Sequence, residues 1–130
     1  MFFKVKKSVL FCVLAAFLAV TVCTSGKCYY LAVEKMGYND VSHKPCEVVL
    51  VNIPQTFDKV YARYNTLLKE GGWDLYKDRG KTVTRYTYYI PSVNSRANIL
   101  VYNGKIIGGD ICGITLDSIM VPIIRQNGVR

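Results

Sequence analysis

The most constraining feature of the sequence is the dipeptide Asn103-Gly104, which lies between two runs of strand-forming residues, 97–102 and 105–110. Asn followed by Gly suits the two left-handed positions of a type I′ turn, the tightest link between antiparallel strands. The sequence therefore predicts a β-hairpin at this point. The glycines at 108 and 109, directly before Asp110, predict a bulge or a place where another backbone comes close.

Two further strands are predicted from composition and alternation. Residues 81–90 are rich in β-branched and aromatic side chains, and alternation puts Arg85 and Tyr89 on one face of the strand and Tyr86 and Tyr88 on the other. Residues 47–53 form a short apolar run closed by Pro54, expected at an edge of the same sheet. The hairpin and these runs together predict an antiparallel sheet of three to four strands.

An amphipathic helix is predicted over residues 56–70. Its apolar side chains recur every three or four residues, as required for one buried face. Thr56 is the expected amino-terminal cap, and Gly71-Gly72 the left-handed stop. The apolar positions are Phe57, Val60, Tyr61, Tyr64, Leu67 and Leu68.

The predicted fold class is α+β, with this helix packed on one face of the sheet. Residues 29–36 add about two helical turns that end at Gly37. Residues 28–130 can bury one small core, so we predict a single domain, of which residues 54–120 are the best-defined part. The order of helix followed by a three-stranded meander is analogous to cystatin-like and PepSY-like domains.

The amino-terminal residues 1–27 are predicted to be a signal peptide or a retained membrane helix. Lysines at positions 4, 6 and 7 precede an apolar run that extends to about residue 26. The basic end is expected to stay inside, which places residues 28–130 outside the cell membrane, or in the medium if the leader is cleaved. The membrane is thus an expected partner.

Charge and cysteines restrict the partners further. The formal net charge is +8, and without the three leader lysines it is about +5, which fits an anionic bacterial surface and needs no nucleic acid partner. Cys28, Cys46 and Cys112 have no metal-binding spacing, so no metal or other cofactor is expected. Either Cys28 and Cys46 form a disulfide in an exported compartment, or all three thiols stay reduced.

No catalytic set is evident in the sequence. His43 is a lone loop histidine, and the spacing of Asp110 from the other acidic residues marks no acid/base pair. Arg85 stands among tyrosines, where it can stack on a ring or pair with Asp110 across the sheet. The first functional hypothesis is a non-catalytic module that binds an envelope protein, peptide or cell-wall polymer through Arg85, Tyr86, Tyr88 and Tyr89. The alternative is a small hydrolase or transferase that uses Asp110 with Arg85 or His43.

The order of short motifs over residues 30–120 resembles one bacterial family, domain of unknown function 4830. That resemblance implies a short exported or membrane-anchored protein of Clostridia-like bacteria with no assigned activity. Residues 118–122 depart from the glycine- and aromatic-containing ending of that family. The motifs that carry the resemblance include Ile53-Pro54, Phe57-Asp58, Val60-Tyr61, Tyr64-Asn65, Arg85-Tyr86-Thr87-Tyr88, Ala97-Asn98 and Ile107-Gly108-Gly109-Asp110-Ile111-Cys112.

Overall fold

The computed structural model describes residues 28–115 and 119–126. The leader or anchor helix predicted for residues 1–27 lies outside the described residues. Within those two ranges, no helix is both long enough and apolar enough to cross a membrane. The structure thus covers most of the part that the sequence assigns to the α+β domain.

A five-stranded antiparallel sheet forms the centre of the fold, and its strands follow chain order. They are β1 (Glu47–Asn52), β2 (Thr82–Ile90), β3 (Ser95–Tyr102), β4 (Lys105–Gly113) and β5 (Met120–Pro122). The predicted antiparallel sheet is confirmed, with β1 at its edge. The strand count of three to four was wrong, because β5 adds a fifth strand beside β4.

The hairpin between β3 and β4 has the predicted turn. Asn103 has φ of 50° and Gly104 has φ of 78°, both in the left-handed region that a type I′ turn requires. Tyr102 is paired with Lys105, so the turn has only these two residues. The hairpin and its two-residue turn at Asn103-Gly104 are therefore confirmed.

The register of that hairpin shifts by one residue between Leu100 and Val101, as in a β-bulge. The turn alone places Asp110 beside Ala97, but the shift moves Asp110 opposite Asn98. The register expected from the turn was therefore wrong. A Cβ on the glycine just before Asp110 would lie 2.6 Å from the carbonyl oxygen of Asn98, so the predicted close approach of two backbones is present.

The long helix, α2 (Lys59–Glu70), begins later than predicted. Asp58 caps it, since its side chain accepts a hydrogen bond of 2.8 Å from the backbone N–H of Tyr61. The assignment of Thr56 as the cap was wrong. At the other end Gly72 has φ of 98°, which only glycine adopts readily, so the predicted glycine stop is present.

The described part of the chain also contains one short α-helix and two 3₁₀ turns. The helix α1 (Tyr30–Glu34) is shorter than the predicted two turns. One 3₁₀ turn, Leu75–Asp78, follows α2. A second 3₁₀ turn, Pro91–Val93, connects β2 to β3. The amide of Asn65 fixes the first of them: it donates to Asp74 at 3.0 Å and accepts from the backbone N–H of Leu75 at 2.7 Å.

Both faces of the sheet are covered, whereas the sequence prediction placed a helix on one face only. Under α2 the buried side chains are Ile53, Leu68, Trp73, Leu75, Val83 and Leu100. The opposite face is covered by α1 and its flanking residues, and its buried cluster consists of Tyr29, Val33, Val41, Tyr88, Ile90, Ala97, Ile99, Val101, Ile111 and Ile123. Burial of both faces explains why the central strands show apolar residues at successive positions.

The segment that contains β5 is held in place by Ile123, whose side chain is fully buried and whose backbone N–H and C=O groups both form hydrogen bonds. Its N–H donates to the carbonyl of Gly109 at 3.0 Å, and its carbonyl accepts from the indole N–H of Trp73 at 2.6 Å. Two residues later, the N–H of Arg125 donates to the carbonyl of Gly71 at 2.7 Å. The segment therefore links the end of α2 to the edge of the sheet.

Candidate functional site

A groove of about 350 Å³ lies between the first half of α2 and the sheet. Near its carboxyl end, α2 packs tightly on the sheet because Gly108 has no side chain: a Cβ there would lie 3.0 Å from Leu68. One turn earlier, the longer side chain of Tyr64 reaches Asp110 of β4 with its hydroxyl and lines the groove. Every strand contributes to the lining, which consists of Val51, Val60, Tyr61, Tyr64, Arg85, Asn98, Leu100, Asp110, Cys112 and Met120.

A chain of hydrogen bonds crosses the floor of this groove. The hydroxyl of Thr87 donates to the amide oxygen of Asn98 at 2.8 Å, and the amide nitrogen of Asn98 donates to Asp110 at 3.2 Å. The hydroxyl of Tyr64 donates to the other oxygen of Asp110 at 2.5 Å. The row exists because Thr87, Asn98 and Asp110 are paired across three neighbouring strands.

Burial sets the protonation of the two strongest groups in that chain. Asp110 is only 3% exposed, and desolvation raises its pKa above 3.8, although the bonds from Tyr64 and Asn98 and the charge of Arg85 act to lower it. Desolvation also raises the pKa of Tyr64, and the negative charge of Asp110 raises it further. Tyr64 is therefore a neutral phenol that donates its proton to Asp110.

Arg85 lines the same groove but pairs with a different carboxylate. Its Nη2 donates to Oε1 of Glu47 at 3.0 Å, across the β1–β2 pair. The candidate pair of Arg85 with Asp110 is not formed, because Arg85 lies opposite Leu100, one row away from the row of Asp110. The Nε of Arg85 is buried and has no hydrogen-bond acceptor within the described part of the chain.

The tyrosines predicted to be exposed on the sheet are only partly so. Tyr88 is 2% exposed, so the expected exposure of its side chain was wrong. The ring of Tyr86 packs on Tyr29 at 4.9 Å between centroids, on the face opposite the groove. Tyr89 is half-buried and donates its hydroxyl proton to Asn94 at 3.2 Å. The surface formed by Arg85 and three tyrosines is therefore divided between the two faces of the sheet.

His43 does not lie at the groove. Its side chain is 63% exposed, its Nε2 lies 3.5 Å from Glu34, and its ring stacks on Tyr30 with 4.2 Å between centroids. The structure thus brings Asp110 and Arg85 to one groove and leaves His43 beside α1.

The three cysteines within the described ranges form no disulfide. Cys28, Cys46 and Cys112 carry free thiols, so the structure does not contain the candidate Cys28–Cys46 disulfide. No group of three or more metal-binding side chains occurs in the ranges 28–115 and 119–126.

Two residues of the groove were missed in the sequence, Tyr64 and Asn98. Tyr64 falls on the apolar stripe of the helix and was assigned to packing, although a buried tyrosine hydroxyl requires a hydrogen-bond partner. Asn98 points to the face of Asp110 only once the bulge is included. The signal that could have found it is Gly108-Gly109, which marks where the simple register fails.

Comparison with known proteins gives one result. The family model for Domain of unknown function (DUF4830) matches residues 33–111, more than half of the chain. The chain belongs to the DUF4830 family. The family prediction made from the sequence is thus confirmed. The DUF4830 region contains the groove residues Tyr64, Arg85, Asn98 and Asp110, whereas β5 follows it. No curated protein and no solved structure matches the chain, so the cystatin-like and PepSY-like analogies stay predictions.

Proposed function

We propose that this chain is a non-catalytic binding module of the bacterial cell envelope, held at or exported across the membrane by its amino-terminal segment. The ligand site is the groove beneath α2. The observation that carries the proposal is the composition of that groove: about 350 Å³ with mainly apolar and aromatic walls and a few fixed polar groups. Ligand sites in proteins share this size and this composition.

The state of Asp110 favours binding over catalysis. A general acid or base must reach the reacting atom, directly or through one water. Asp110 is 3% exposed and accepts a hydrogen bond on each oxygen, so its role is to hold Tyr64 and Asn98 in place. These two side chains keep the floor of the groove rigid before any ligand arrives.

The binding proposal is tested by capturing envelope proteins and cell-wall fragments on the full-length protein in detergent. Val60 is 71% exposed and lines the groove, so Val60→Glu changes the site without disturbing the core. Val93 is 48% exposed and is not a lining residue, so Val93→Glu is the matched control. We expect a captured ligand that Val60→Glu loses and Val93→Glu retains. Equal capture by both variants would place the binding elsewhere.

The location is tested separately by treating intact cells with protease. We expect the region from residue 28 onward to be removed from the cell surface. Digestion that occurs only after lysis would contradict the proposed orientation.

A small hydrolase or transferase is the second candidate, because Asp110 and Arg85 line one groove. Asp110→Asn separates the two functions. The melting temperature should fall modestly in either case, because an asparagine at this position can accept only one of the two hydrogen bonds that Asp110 accepts. A binding module should keep its ligand in this variant, whereas an enzyme should lose turnover even at temperatures where the variant is fully folded.

A further inference from the structure

We propose that the ligand of this groove carries a carboxylate, which binds the guanidinium of Arg85, and an apolar portion, which packs against the tyrosines of α2. This inference rests on the proposed function, since it names the ligand class of the same site.

Two charged side chains of the groove determine the charge that a ligand would meet. Among the lining residues, the charged side chains are Arg85 and Asp110. Asp110 is 3% exposed beneath Tyr64 and Asn98, whereas the side chain of Arg85 is 35% exposed. Glu47, the partner of Arg85, is not a lining residue. The charge accessible from the groove is therefore positive.

Arg85 has N–H donors that its contacts in the described ranges leave unused. A guanidinium has five N–H donors in a planar fork that matches both oxygens of a carboxylate. Nη2 donates to Glu47, and the buried Nε has no acceptor within the described ranges. Buried donors are nearly always satisfied, so Arg85 has hydrogen-bonding capacity that its contacts in the described ranges do not use.

A ligand can displace Glu47 from the guanidinium of Arg85. Its side chain is 51% exposed, and ion pairs that are exposed to solvent contribute little because water and salt screen them. A ligand carboxylate held in the groove is less screened. It can therefore join Arg85 beside Glu47 or replace it at small cost.

The apolar part of the ligand follows from the walls. The side chains of Tyr61, Tyr64, Leu100 and Met120 line the same groove as Arg85. The volume of about 350 Å³ is near the lower limit for small-molecule sites. A compact aromatic or branched aliphatic acid fits this description, and so does the carboxyl-terminal residue of a peptide.

The experiment uses 3-phenylpropionate as the probe and 3-phenylpropanamide as its uncharged control. The peptide Ala-Ala-Phe, with a free or an amidated carboxyl group, tests the peptide source. Each is titrated into the ¹⁵N-labelled full-length protein in detergent micelles, and the Nε–H resonance of Arg85 is followed by NMR. We expect both acids to shift that resonance and both amides to leave it unmoved. If only one acid shifts it, that acid shows whether the carboxylate belongs to a small molecule or to the carboxyl terminus of a peptide.

Two substitutions make the result specific. Arg85→Lys keeps the charge and removes the planar fork, and we expect it to weaken acid binding by roughly tenfold or more. Glu47→Gln removes the competing carboxylate, and we expect it to strengthen acid binding by about 1.4- to 5-fold. A merely structural ion pair predicts no such gain. Resonances of residues lining the groove report binding in the lysine variant.

The outcomes separate this inference from the proposed function. If acids and amides shift the groove resonances equally, and Arg85→Lys binds both as well as the wild type, the carboxylate inference is overturned and the binding groove stands. If the acids leave every groove resonance unmoved, the carboxylate inference fails, and the capture experiment with Val60→Glu then decides the binding function on its own.

Discussion

The hydrogen bond between Tyr64 and Asp110 offers the sharpest test of how the groove is built. The change is Tyr64→Phe, which keeps the ring and removes only the hydroxyl that donates to Oδ1 of Asp110 at 2.5 Å. Asp110 is 3% exposed, so water cannot readily take the place of that donor. A buried acceptor is left unsatisfied.

The expected loss of stability follows from the charge of the acceptor. Hydrogen bonds to charged groups contribute about 1.5–3 kcal/mol to the free energy of unfolding. For a domain of this size, that loss lowers the Tm by roughly 6–20 °C.

The effect should depend on pH, because burial raises the pKa of Asp110 above 3.8. The folded protein therefore holds this proton more tightly than the unfolded chain. The resulting stability is fully present below about pH 3.8 and is lost as the pH rises through the folded pKa. The bond from Tyr64 lowers that pKa, so removing it raises the pKa further. The penalty of Tyr64→Phe should thus be small in acid and grow toward neutral pH.

The measurement is urea unfolding of the full-length protein in detergent, followed by the fluorescence of Trp73, the one tryptophan in the sequence. Tyr61→Phe is the matched control, since it removes a hydroxyl from the same ring cluster and leaves the bond to Asp110 intact. Equal losses in the two variants, or a penalty for Tyr64→Phe that stays constant with pH, would refute the reasoning.

Three further changes test the fold. Asp58→Ala should cost about 0.5–2 kcal/mol because it removes the helix cap, whereas Thr56→Ala should have almost no effect; chemical denaturation of both variants decides between the observed and the predicted cap. Gly109→Ala places a Cβ 2.6 Å from a carbonyl oxygen of β3, and calorimetry should show a loss of about 1–3 kcal/mol. Ile123→Ala should cost about 2–5 kcal/mol in urea unfolding because its side chain is fully buried. The neighbouring Ile124 is 44% exposed, so a loss as large in Ile124→Ala would contradict the observed docking of this segment.

Local chemistry was enough to predict the elements of the fold. The turn at Asn103-Gly104 was predictable because two left-handed residues in succession favour this dipeptide and one turn type. The strand β2 and the helix α2 were predictable because the side chains of a strand repeat every two residues and those of a helix every 3.6, so each pattern is visible within a short stretch of sequence. The helix start was misplaced because Thr56 and Asp58 can both cap, and only the docked backbone selects between them.

The contacts that make the candidate site required the tertiary structure. Tyr64 and Asp110 are 46 residues apart, and Arg85 and Glu47 are 38 apart, so no local pattern links them. A bulge of one residue decides whether Asp110 lies beside Ala97 or Asn98, because each single-residue slip of a strand exchanges its two faces. The docking of β5 likewise depends on the hydrogen bonds that the next residue, Ile123, forms with Gly109 and Trp73, and no local sequence pattern predicts those bonds. The sequence by itself therefore determined the four longer strands, the turn and the long helix, whereas packing and register decided where β5 docks and which side chains meet in the groove.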